Sequence, residues 1–229
     1  MSTILFLHGA LGAASQFDSI IAKLRAHYHC VALDFPMHGN NEMKCEFSIQ
    51  GFAEYLINYI EENKLNGVAV FGFSMGGYVA LYAASKRPEL FSGIMTLATK
   101  LKWNEDIANK AKSMMDTALM QQKVPHFVQQ LIKRHLHIDW KILVNNTADL
   151  LVNIGNEPLL TDEIFTHLKM PIQLGIGDKD YGVSIEETAH AYRQLENGNM
   201  YILPNTKEPF EKVNEALLIM HIRHFFATN

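Results

Sequence analysis

A chain of 229 residues, 48% of them hydrophobic, is the right size for one large α/β domain or a core domain with one insertion, and it can bury a sizeable core. With 20 Lys and Arg against 24 Asp and Glu, the formal charge of −4 excludes an electrostatic case for nucleic acid or an anionic membrane as partner. The two cysteines, Cys30 and Cys45, form no CxxC and have no zinc-ligand spacing, so they read as free thiols of a reducing compartment, with the cytoplasm as the expected location.

The N-terminal "MSTILFLHGALGAAS" is apolar and then small, but it lacks a basic leader and is interrupted by His8 and Gly9. A buried first strand fits it better than a secretory signal. A run of about 18 apolar residues, the length of a membrane span, occurs nowhere. After "TILFLHG", residues 16–25 predict a helix with Phe17, Ile20, Ile21 and Leu24 on one face. "CVALDFP" predicts a second strand. The following "SIQGFAEYLINYIEEN" predicts a helix capped by Ser48, with Phe52, Leu56 and Ile60 at helical spacing.

"GVAVFGFS" predicts a strand, residues 75–86 a helix, and "FSGIMTLAT" another strand. Residues 99–169 break this rhythm with several helical patterns and no convincing strand, and they read as a helical cap inserted into the core. "PIQLGIGD" and "MYILP" predict two more strands with a helix over about 184–195 between them, and a last helix is expected over about 209–226. Strands apolar throughout, each followed by a helix, predict a mostly parallel sheet covered on both faces. The expected division is a core of residues 1–98 and 170–229 with the cap at 99–169.

The strongest chemical signal is "GFSMGG", residues 72–77, between a buried strand and a helix. It matches G-x-S-x-G, in which the serine sits on a sharp strained turn and side chains two positions either side would collide, so Gly72 and Gly76 are required. The turn lifts the Ser74 hydroxyl above the sheet as a nucleophile and aims helix N-terminal N–H groups, chiefly that of Met75, at a developing oxyanion. Neither G-x-G-x-x-G nor G-K-[ST] is present, which removes the dinucleotide and phosphate-loop readings. The turn after His8–Gly9 supplies the other oxyanion N–H, from Ala10. His8 and His38, in "LFLHG" and "DFPMHGN", read as structural turn residues.

These motifs together, with "GIGDKD" and "ILPNTKEP" near the end, resemble the α/β-hydrolase family over nearly the whole chain, most of all its small capped esterase, thioesterase and MenH-like members. The resemblance implies an α/β-hydrolase fold and a serine triad in the chain order nucleophile, acid, base. It puts the acid at Asp180, with Asp178 as runner-up, and the base about five residues beyond the last strand's leucine, where Glu208 stands instead of histidine. His126, His135, His137 and His167 lie in the cap, His190, His221 and His224 belong to helices, and Lys207 would serve only if desolvated. The implied function is hydrolysis of a small, largely apolar carboxylic ester or thioester through an acyl-enzyme at Ser74. Activity is expected to be impaired by Glu208, and no metal or organic cofactor is expected. Met114, Met115 and Phe127 of the cap are the candidate acyl-pocket residues. A fold that binds its ligand without turning it over, or a lyase or acyltransfer reaction at the same serine, are the alternatives.

Overall fold

The computed structural model describes residues 1–228. Its frame is a six-stranded sheet, all parallel, built from β1 (Thr3–Leu7), β2 (His29–Leu33), β3 (Val68–Phe73), β4 (Phe91–Leu97), β5 (Ile172–Gly177) and β6 (Gly198–Leu203) in the order β2-β1-β3-β4-β5-β6. Successive residues of a strand point to opposite faces. Leu5, Leu7, Val68 and Val70 therefore enter one buried cluster, with α2 (Ile49–Glu62) and α3 (Met75–Lys86). Ile4, Phe6, Ala69 and Phe71 enter another, with α1 (Asp18–Leu24) and α10 (Glu215–Thr228). Both faces are covered, which is why these strands are apolar at nearly every position.

The helix boundaries follow capping chemistry. Ser48 accepts a hydrogen bond from the Gly51 N–H at 3.0 Å and opens α2 as expected. The last helix starts later than the apolar pattern suggests. Asn214 accepts from the N–H groups of Ala216 and Leu217 at 3.1 and 3.2 Å, so helix begins only at Glu215, and the chain before it makes one 3-10 turn over Phe210–Lys212. Residues 14–17 likewise form a 3-10 turn ahead of α1.

Between β4 and β5 the described residues hold helices and no strand. These are α4 (Glu105–Ser113), α5 (Thr117–Lys123), α6 (Pro125–Arg134), α7 (Trp140–Asn156) and α8 (Asp162–His167), and α9 (Ile185–Gln194) follows β5. Val128, Leu131, Trp140, Leu143 and Val144 of this segment pack around Leu11, a residue of the turn that follows β1. Phe127, expected in the acyl pocket, is instead 36% exposed on the margin of the α6 face that buries Val128 and Leu131. Cys30 and Cys45 are free. No helix of the described residues is long and apolar enough to cross a membrane.

Candidate active site

Ser74 joins β3 to α3 in a backbone conformation that an L-residue rarely adopts, φ 50° and ψ −117°. The strained turn is pinned on both sides. The Ser74 N–H donates to Leu97 O at 2.8 Å, and Ser74 O accepts from Thr99 Oγ1 and from the Gly77 N–H, each at 3.0 Å. Its glycines answer to different neighbours. A Cβ on Gly72 would lie 2.5 Å from Gly77 Cα, while one on Gly76 would overlap the carbonyls of Leu7 and His8 at the end of β1. Gly76 is thus required by the neighbouring strand rather than by the serine turn itself. Gly77, with Thr99 against it, is a further fixed position that G-x-S-x-G does not name.

The second turn is keyed by His8. Its Nε2 accepts the Phe35 N–H at 3.1 Å, so the proton sits on Nδ1, which donates to Gly9 O at 2.8 Å. Burial pushes the His8 pKa down to about 3 and keeps the ring neutral. The turn closes through Gly12 N–H to Gly9 O at 3.0 Å with Leu11 at φ 57°. The helical segment holds this turn from outside, since Arg134 Nη1 and His135 Nε2 both donate to Leu11 O, at 3.1 and 3.0 Å. Ala10, Ser74 and Met75 all line the wall of one cavity of about 580 Å³. As the first residue of α3, Met75 has an N–H without an acceptor inside its helix.

Asp180 and Glu208 line the same cavity, as do Met114 and Met115, whereas Asp178 and Phe127 do not. Asp178 has another task. Its Oδ1 accepts the Thr206 N–H at 3.0 Å, and the backbone N–H groups of Asn205 and Thr206 hold its carboxyl below the ordinary carboxylate range. It thereby ties the end of β5 to the loop after β6 that presents Glu208. Asp180 Oδ1 accepts from the N–H groups of Gly182 and Val183 at 2.8 and 2.9 Å. Burial first, and then the charge of Asp180, push the Glu208 pKa up, and Lys100 opposes the rise.

Lys100 is a site residue that no local motif signals. Its ammonium donates to Gly182 O at 2.9 Å and pairs with Glu187 at 3.1 Å, while Glu187 also accepts the Leu101 N–H at 3.2 Å. With 21% and 9% of their side chains exposed, the pair is largely desolvated and clamps the loop after β4 to the loop that carries Asp180. Trp103, Tyr78 and Leu151 complete much of the apolar wall.

Residues 2–138 match the family model described as alpha/beta hydrolase fold. The uncharacterized hydrolase YugF of Bacillus subtilis is 29% identical over 163 residues, 70% of this chain and 54% of that protein. The chain thus spans about half the length of that relative. A pimeloyl acyl-carrier-protein methyl ester esterase of Neisseria meningitidis is 22% identical over 242 residues, 98% of this chain and 90% of that protein. Among solved structures, a thermophilic esterase from Thermogutta terrifontis superposes with a TM-score of 0.78 at 15% identity, covering 100% of this chain and 90% of the other, a likeness of fold.

Proposed function

The chain belongs to the α/β-hydrolase family, and on that premise we propose that it hydrolyses a small, largely apolar carboxylic ester or thioester at Ser74. The observation that carries this reading is the strained Ser74 turn opening, with Ala10, Met75, Asp180 and Glu208, into one cavity. Ser74 Oγ attacks the acyl carbon while the Met75 and Ala10 N–H groups receive the charge that develops on the carbonyl oxygen. The alcohol or thiol leaves with a proton, and water then cleaves the acyl-serine to release the acid. The residue expected to move these protons stands at position 208, oriented by Asp180. A carboxylate there is a poor substitute for imidazole, because it cannot take the serine proton while donating an N–H to Asp180. The chemistry is therefore slow in this chain, and the cytoplasm, where Cys30 and Cys45 stay reduced, is its proposed location.

Glu208 also favours a second reading, a site that binds its ligand with little turnover. A lyase or acyltransfer reaction would use the same serine with a different second substrate. The deciding experiment treats the protein with a fluorophosphonate and follows intact mass and aryl ester turnover together. Phosphonylation of Ser74 with measurable acid release supports the hydrolase. Labelling with no turnover, before and after Glu208→His, supports the binding reading, and transfer to an added alcohol supports acyltransfer.

A further inference from the structure

The cavity beside Ser74 shares part of its wall with a second hollow. That hollow, of about 260 Å³, lies between the start of α2 and the end of α7, and the two hollows have Ile49 and Ile154 in common. Ile49 is the first residue of α2 and 1% exposed, and Ile154 lies in the last turn of α7 and is 5% exposed. On the Ser74 side the wall continues with Leu151, Tyr78 and Met75. On the other side the rim is polar and exposed, with Gln50, Asn153, Asn156 and Glu157. Ile49 and Ile154 thus line both hollows, with an apolar wall on the Ser74 side and an exposed polar rim on the other.

We propose that Ile49 and Ile154 are specificity-determining residues, forming the stop that sets the longest acyl chain the cavity accepts. The inference rests on reading the cavity as the acyl site. Each methylene added to a bound chain strengthens binding by about fourfold as long as it exchanges water for apolar wall. A chain that reaches the partition gains nothing more, because its next carbon must displace packed side chains. Shortening Ile154 removes the stop without touching Ser74, Asp180 or Glu208. The longer chain then passes between the helices and ends in solvent at the rim.

The test uses the full chain and a series of neutral n-alkanamides from hexanamide to dodecanamide, with binding read from the fluorescence of Trp103 in the cavity wall. Alkyl fluorophosphonates of the same lengths are followed in parallel by intact mass. Affinity in the unsubstituted protein rises with length and then stops. In Ile154→Ala the stop moves out by about two methylenes, and the first amide beyond the old limit binds about fourfold tighter than to the unsubstituted protein. Ile154→Val, which removes one methyl group and disturbs folding least, moves the stop by about one methylene. An unchanged limit in either variant with native near-ultraviolet circular dichroism overturns the proposal, as does the lack of any limit in the unsubstituted protein. Absence of amide binding at every length overturns it together with the acyl-site reading. Length-dependent amide binding without phosphonylation of Ser74, in Glu208→His as in the unsubstituted protein, sustains the partition and overturns the nucleophile assignment.

Discussion

Glu208 and Asp180 face one another across Gly182: Glu208 Oε2 lies 3.1 Å, and Asp180 Oδ1 3.6 Å, from the point that a Cβ on Gly182 would occupy. Two carboxylates converge where a carboxylate and an imidazole would make a triad. Burial, and then the charge of Asp180, push the Glu208 pKa up and favour its protonated form.

Glu208→His is therefore expected to raise p-nitrophenyl ester hydrolysis by at least about a hundredfold, the lower range for a positioned general base. Loss of a triad base costs on the order of 10⁴–10⁶ in turnover, which leaves room for that gain. Steady-state kinetics of the two proteins check it. Equal activity would assign the proton transfer to another residue.

Ser74→Ala is expected to abolish fluorophosphonate labelling while leaving the fold intact. The hydroxyl supports none of the hydrogen bonds that pin the turn, which all use the Ser74 backbone. Intact mass and far-ultraviolet circular dichroism read the two halves of the prediction. Undiminished labelling would remove Ser74 as the nucleophile.

Gly76→Val should cost about 1–3 kcal/mol, because its side chain would be forced against the Leu7 and His8 carbonyls. In a chain of this size that is a fall in Tm of roughly 2–4 °C per kcal/mol. The same change at a solvated helix position serves as the control. An unchanged Tm would contradict the packing of α3 on β1.

Acid should destabilise the protein through its buried histidines. Burial lowers the pKa of His8, His38 and His135, to about 3 for His8, from an unfolded value of 6.5. The unfolded chain therefore takes up protons first as pH falls. Their stabilising contribution is complete above about pH 6.5 and is lost progressively below it. For His8 the loss is about 2 kcal/mol at about pH 5. Glu208 runs the other way, since its raised pKa lets protonation relieve the folded state. His38 Nε2 is buried without a hydrogen-bond partner, so His38→Phe keeps a ring in place and removes one titrating group. Urea midpoints at about pH 8 and about pH 5 should differ less in that variant than in the unsubstituted protein.

Several features of the site were legible because their causes are local. A strand apolar at nearly every position is buried on both faces, and β3, apolar throughout, is buried at all its residues. The serine turn announces itself through glycines that lie within a few residues of it. Ser48 caps α2 through a bond to its own third neighbour. Other features escaped for the opposite reason. The start of α10 depends on Asn214 outcompeting an apolar pattern that continues past it. Phe127 has the composition of a pocket residue, but its exposure depends on which face α6 turns toward Leu11.

Taken alone, the order of residues determined the parallel sheet with helices on both faces, the serine turn, and the anomaly of a glutamate where the family places a base. The first two follow from backbone preferences and periodicity within short windows, and the third is what the resemblance to the family implies. The tertiary structure alone decided that Asp180 rather than Asp178 faces the cavity and that Lys100 and Glu187, distant in the chain, clamp its rim. It also decided that two isoleucines from separate helices, Ile49 and Ile154, line both the cavity and the hollow beside it. Those relationships are distances between segments far apart in sequence. They are set by how helices pack on the sheet, and no local pattern encodes them.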